Sequence, residues 1–149
     1  MLKGHAPEAV LSEARDLRTF SDAAARGHLW VAVTGETPVG FALVRMLAAD
    51  LPHLDELDVE PAHGQQGLGT ALVRAVCDWA TISGYSTLTL TTFRGVPWNL
   101  PFYARLGFAE IPPDRVRPEL AAVVSEEAKR GLTPEARAVM GYRCTPGPE

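Results

Sequence analysis

Three glycines, Gly64, Gly67 and Gly69, lie between a strand-like run that ends at Val59 and a helix-like run that begins near Thr70. Glycine lets the main chain approach a ligand closely, and the first turn of a helix carries N–H groups with no intrahelical partner. Together with the positive end of the helix dipole, such groups form a site for an anion, most often a phosphate. A tight turn eased by glycine is the plain alternative. Two familiar phosphate loops fail on spacing. Gly64 and Gly69 have the separation of a P-loop, but Thr70 follows directly and the lysine is absent. A dinucleotide fingerprint is Gly-x-Gly-x-x-Gly, whereas here the longer gap comes first. The second pair with chemical potential is Asn99 and Tyr103, four apart and so on one side of a helix. Read locally, Asn99 caps that helix and Tyr103 is a core aromatic.

These residues need elements to hold them. Leu54, Leu57 and Val59 give residues 53–59 the character of a strand, and Pro61 ends the pairing because it has no N–H. Leu72, Val73, Val76, Cys77 and Ala80 recur at helical spacing, with Gly84 as the C-cap. Earlier in the chain, 8–17 reads as a helix, and Ser21 caps a short second one that Gly27 ends. Residues 29–33 and 39–47 are strands joined by a polar Gly/Pro turn, with Gly40 marking a bulge or a close approach. Residues 48–52 read as a loop. Residues 85–92 form a buried strand with Leu88 and Leu90 on one face. Asn99 opens a helix in which Phe102 and Leu106 share a buried face before Gly107 stops it. Residues 108–111 are a strand, 119–130 a helix ended by Gly131, and 138–143 the last strand before a frayed Pro/Gly tail.

A chain of 149 residues, 46% of them hydrophobic, is one domain with a sizeable core and no internal repeat. No apolar run is long enough to span a bilayer, and the N-terminus lacks a signal-peptide pattern. Cys77 and Cys144 have neither metal-ligand spacing nor the number a disulfide framework needs, which makes a reduced, cytoplasmic setting the default. A formal net charge of −4 without a basic stripe argues against a nucleic-acid partner.

The loop resembles the acetyl-coenzyme A loop of the GNAT superfamily of N-acetyltransferases, whose signature is Gln/Arg-x-x-Gly-x-Gly/Ala after a strand ending Val-x-Pro. Here Val59-Glu60-Pro61 precedes Gly64-Gln65-Gln66-Gly67-Leu68-Gly69, so the last two glycines fall in place. Gly64 stands where the family has Gln or Arg, so that side chain's contact is absent while the backbone donors are retained. The run from Asn99 to Phe108 also matches the family, whose corresponding helix carries an Asn near its start and a Tyr before Gly-Phe. The two partial motifs occur in the family's order and cover the central half of the chain. The run from residue 91 to 108 resembles a bacterial subset known as general acetyltransferases.

The resemblance implies an α/β (mixed α+β) acyl-CoA N-acyltransferase fold. Its central twisted sheet is mostly antiparallel, flanked by helices, and splays between the fourth and fifth strands, here 53–59 and 85–92. Family members open with a strand, and residues 1–7 are too short and too polar for that strand to be identified in them. Acetyl-coenzyme A is then the cosubstrate and metal is not involved. Its pantetheine arm would pair with Leu57 and Val59, and a backbone N–H near Leu57 or Asp58 would polarise the thioester carbonyl. Its pyrophosphate would sit on N–H groups of Gln65, Gln66, Gly67, Leu68, Gly69 and Thr70, with Asn99 on the arm. Tyr103 is implied as the general acid beside the sulfur, and Glu56 and His53 are the candidate bases for the amine. His53 reads equally as a solvated loop histidine after Pro52. The expected reaction is direct attack by a primary amine of a small molecule or peptide in a ternary complex; a homodimer is compatible with it. The competing readings are a non-catalytic coenzyme A sensor or partner module, and an unrelated nucleotide binder. Segments 48–53, 94–98 and 115–132 are expected to shape the acceptor pocket, with Trp98 an anchor for a cationic acceptor or a packing residue.

Overall fold

A computed structural model describes residues 17–61 and 67–144. The described residues form two compact units, one within 1–45 and 54–79 and the other within 46–53 and 80–149. The elements in chain order are α1 (Leu17–Ala25), β1 (Leu29–Thr34), β2 (Thr37–Ala48), β3 (Leu51–Val59), α2 (Leu68–Ile82), β4 (Thr87–Phe93), α3 (Asn99–Arg105), β5 (Phe108–Glu110), α4 (Pro118–Lys129) and β6 (Arg137–Arg143). Single 3₁₀ turns at Pro113–Arg115 and Pro134–Ala136 lead into α4 and β6. The strands make one mixed sheet in the order β1-β2-β3-β4-β6-β5.

In the first unit α1 and the β1–β2 hairpin pack through apolar faces. Phe20 of α1 meets Phe41 of β2 edge-on at 5.3 Å, and Trp79 of α2 takes His28 and Trp30 at 5.4 and 5.3 Å. β1 and β2 pair antiparallel, and the register shifts between Ala32 and Val33, which leaves Val39 as the extra residue on β2. A Cβ at the adjacent Gly40 would lie 3.0 Å from the Asp58 carbonyl oxygen, so glycine is needed for the backbones to come this close. The bulge and the close approach read from Gly40 are therefore both present. On α2 the buried residues are Leu72, Val73, Val76, Cys77 and Ala80, the helical stripe the sequence sets out. Each fully buried aliphatic side chain of this kind contributes about 1.5–3 kcal/mol relative to exposure.

In the second unit β4 pairs antiparallel with β6 over its whole length, and β5 adds to the far side of β6. Leu88, Leu90 and Thr92 are buried on one face of β4, and Thr89 on the other. β4 is thus covered on both sides. α3 and α4 bury Tyr103, Leu120 and Val123. Gly27, Gly84, Gly107 and Gly131 all follow helices with positive φ, as the sequence requires of C-terminal caps.

The structure corrects four local expectations. Ser21 lies inside α1, which runs from Leu17 to Ala25, and so does not cap it. Residues 48–52 are not a loop: β3 starts at Leu51, and the turn contracts to Ala49 and Asp50. Phe102 and Leu106 are only half-buried, and the buried side of α3 is Asn99 and Tyr103. Asn99 is the first helical residue, and Trp98 occupies the capping position without a side-chain capping bond. The expectations for residues 1–16, for Gly64 and for the tail after Cys144 lie outside the described residues.

Candidate active site

The first unit holds the strand, loop and helix start. Leu57 and Val59 of β3 are buried, and Asp58 between them is half-buried. The Glu60 N–H donates to the Val39 carbonyl at 2.8 Å, and Pro61 follows in exposed chain. Gln65 and Gln66 lie outside the described residues. Gly67 has φ +76°, and a Cβ there would meet nothing within 4 Å. The requirement for glycine is therefore conformational: an L side chain in this region costs about 1–2 kcal/mol. The Ala71 N–H donates to the Gly67 carbonyl at 3.0 Å and begins the helical ladder. The N–H groups of Leu68, Gly69 and Thr70 precede that first intrahelical bond. No acidic residue occupies the first turn of α2, so no carboxylate of the helix itself competes for the positive end of its dipole.

The second unit holds Asn99 and Tyr103. Asn99 is 1% exposed, and its Nδ2 donates to the Phe93 carbonyl at 3.3 Å. A carbonyl only accepts, so this bond orients the amide and turns Oδ1 the other way. Among the described residues, Asn99 Oδ1 is the buried side-chain polar atom that has no hydrogen-bond partner. Burying such an acceptor unsatisfied costs about 1–3 kcal/mol. An amide N–H of a ligand would satisfy it. Capping chemistry therefore does not explain Asn99, whereas an incoming donor would.

Tyr103 is buried between Phe102 and Phe108, with ring centroids 4.9 and 5.7 Å away. Burial pushes its hydroxyl above the ordinary tyrosine range, opposed in part by the charge of Arg137. It stays protonated at working pH, which a proton donor needs and a base cannot use. Arg137 is itself held by Glu127, at 3.1 and 3.3 Å, and by the Thr91 hydroxyl at 3.0 Å. Its guanidinium lies 4.4 Å from the centre of the Phe93 ring. This network ties α4 to β4 and β6.

His53 is 1% exposed, so the solvated-loop reading is wrong. It lies on β3, which pairs parallel with β4 at His53 and Thr89, and its Nδ1 is 2.8 Å from Thr89 Oγ1. Thr89 Oγ1 is also 3.5 Å from the Pro52 carbonyl oxygen. Two proton arrangements fit. With a proton on Nδ1, the ring donates to the hydroxyl and the hydroxyl donates to Pro52; with Nδ1 bare, the hydroxyl donates to the ring. Glu56 is half-buried beside half-buried Asp55, so simple strand alternation does not distinguish their faces.

Two of the three segments expected to shape an acceptor pocket come together. A cavity of about 180 Å³ is lined by residues that include Asp50, Leu51, Thr89, Ile111, Arg115 and Arg117. The third segment, 94–98, is not part of that lining; Arg94 pairs with Glu110, and Trp98 is 46% exposed. Sequence reading missed Thr89, and the available signal was its place between Leu88 and Leu90 on a doubly buried strand. Among the described residues no cluster of three His, Cys, Asp or Glu side chains could hold a metal. No helix among them is long and apolar enough to cross a membrane.

Comparison with known proteins shows the family and the fold. Residues 3–108 match the acetyltransferase (GNAT) family. Among solved structures, N-acetylglutamate synthase from Neisseria gonorrhoeae, complexed with coenzyme A and N-acetyl-glutamate, superposes with a TM-score of 0.67 and 18% identity. That alignment covers 87% of this chain but 28% of the synthase, so the chain corresponds to a minor part of that larger protein. PaiA N-acetyltransferase from Thermoplasma acidophilum, in complex with coenzyme A, gives 0.64 and 16%, over 85% of this chain and 68% of that one. The ribosomal-protein-S18-alanine N-acetyltransferase from Escherichia coli gives 0.62 and 18%, over 97% of this chain and 81% of its own.

Proposed function

The chain belongs to the GNAT family of acetyltransferases, and we propose that it transfers the acetyl group of acetyl-coenzyme A directly to a primary amine of a small molecule or peptide in a ternary complex. The observation that carries this reading is the buried, unpartnered Oδ1 of Asn99, an acceptor fixed in place with no donor of its own. The pantetheine arm carries amide N–H groups that supply what Oδ1 lacks. The N–H groups ahead of the α2 ladder, those of Leu68, Gly69 and Thr70, would take the pyrophosphate together with Gln65, Gln66 and Gly67. Leu57 and Val59 would offer main-chain pairing to the arm, and an N–H at Leu57 or Asp58 would steady the charge that develops on the thioester oxygen. The chain as a whole is read as one N-acetyltransferase domain. Cys77 and Cys144 are buried and form no disulfide, which fits a reduced cytoplasmic setting.

Bound acetyl-coenzyme A supplies the acyl group as a thioester. The acceptor arrives as an ammonium ion and must lose one proton before its nitrogen can attack. His53 or Glu56 takes that proton. The nitrogen then forms a C–N bond as the C–S bond breaks. Tyr103 gives its proton to the departing thiolate, and the phenolate recovers the second proton from the new amide nitrogen. The net products are the acetylated amine, coenzyme A and one released proton.

The test is thiol release from acetyl-coenzyme A with a panel of primary amines, followed by mass measurement of the acetylated amine. Saturable release that depends on both substrates is expected. Binding of coenzyme A without turnover on any amine would leave the sensor reading instead.

A further inference from the structure

The cavity at the starts of β3 and β4 has a charge pattern that the reaction itself does not explain. Its apolar lining is Leu51, Ile111 and Leu120, and its hydroxyl lining is Ser86, Thr87 and Thr89. Two arginines stand over it. Arg117 is already satisfied: it holds the Asp50 carboxylate through two bonds of 3.2 Å and Glu119 through bonds of 3.3 and 3.2 Å. Arg115, in the 3₁₀ turn before α4, is exposed and has no ion-pair partner among the described residues. A guanidinium presents a planar fork that matches a carboxylate. At about 180 Å³ the cavity lies below the roughly 300 Å³ at which sites for drug-sized ligands begin, and suits one small molecule.

We propose that this cavity is the acceptor subsite and that it selects a small amine bearing a carboxylate, bound by Arg115 while the amine lies against the Thr89 hydroxyl. The proposal rests on the acetyl-transfer reading and adds the acceptor class to it. It also gives His53 a route to the substrate. His53 is buried, but its Nδ1 is bonded to Thr89 Oγ1, and Thr89 lines the cavity. The ammonium gives a proton to Thr89 Oγ1 as the hydroxyl passes its own proton to Nδ1. The amine becomes neutral, the hydroxyl is regenerated, and the imidazole carries the charge until it releases the proton to solvent. Thr89 is then the group that touches the amine, and His53 acts through it.

The experiment compares the intact chain on amino acids and on the matching amino-acid amides, read as thiol release from acetyl-coenzyme A. The amide's amine is the less basic of the two, so basicity alone favours the amide. The expected result is a kcat/KM at least about tenfold higher for the carboxylate, the range of a charge-assisted contact. Arg115→Ala should raise KM for the carboxylate acceptor about 10- to 100-fold, with kcat and the amide's kinetics little changed, and Arg115→Lys should recover part of it. Thr89→Val should lower kcat on both acceptors at unchanged KM, and Thr89→Ser should restore it. Equal kcat/KM for acid and amide, or an Arg115→Ala variant with unchanged carboxylate KM, would overturn the subsite. Release only with carboxylate-free amines would overturn it too while leaving acetyl transfer intact. Release with no amine at all would remove both.

Discussion

Replacing Asn99 by leucine separates a structural role from a binding role, because the two predict opposite patterns. In the ligand-free protein the substitution removes the orphaned Oδ1, whose burial costs about 1–3 kcal/mol. It also removes the 3.3 Å bond to the Phe93 carbonyl, which contributes about 0.5–1.5 kcal/mol. These terms oppose each other, and leucine keeps asparagine's branch point at Cγ in a fully buried site. Stability should therefore change by no more than about 2 kcal/mol, added bulk included. Coenzyme A should lose the bond proposed to Oδ1, about 1–3 kcal/mol, or roughly 5- to 150-fold in Kd. Urea denaturation with and without coenzyme A measures the first quantity, and calorimetric titration the second. A variant destabilised by more than about 3 kcal/mol but binding coenzyme A normally would refute the argument, since Asn99 would then be a structural residue only.

Tyr103→Phe should keep coenzyme A binding but lower kcat about 100-fold or more, because it removes the proton for the thiolate; unchanged turnover would take Tyr103 out of the mechanism. The same residue sets an alkaline limit. Burial raises its folded pKa above the ordinary tyrosine value of about 10, so its contribution to stability is complete below about pH 10 and falls as pH rises through the folded value. Denaturation midpoints above about pH 10 should fall less steeply for Tyr103→Phe than for the parent protein. Gly67→Glu should abolish coenzyme A binding by adding negative charge and strain where φ is +76°, and tight binding by a folded variant would show the turn to be structural only. Glu127→Ala should cost about 3–5 kcal/mol, because it leaves Arg137, whose side chain is 10% exposed, buried without its carboxylate. A denaturation midpoint close to the parent's would contradict that role for the ion pair.

Most of the fold was legible because its elements follow period and punctuation. The α2 stripe from Leu72 to Ala80 and the paired Leu88 and Leu90 are read from spacing alone, and glycines close four helices where the chain must turn back. The glycine loop and the Asn99–Tyr103 pair were visible for the same reason, since both depend on short-range spacing. A loop histidine was a fair alternative for His53 because Pro52 signals the end of a strand, yet here it sits inside one. Asn99 looked like a cap because capping is a local preference, and burial against the Phe93 carbonyl overrode it. Thr89 as a whole, and the individual role of Arg115 within the pocket segment it opens, were not legible for a different cause. Their meaning depends on partners far along the chain, His53 at 36 residues from Thr89 and the other cavity-lining segments for Arg115.

Acetyl-coenzyme A is proposed to be held by the start of α2 and by the open acceptor on Asn99. Isothermal titration of the folded chain with acetyl-coenzyme A tests this directly. Saturable one-to-one heat, weakened in Asn99→Leu, is the predicted result. Absence of any heat with acetyl-coenzyme A, at concentrations well above the micromolar range, would contradict it.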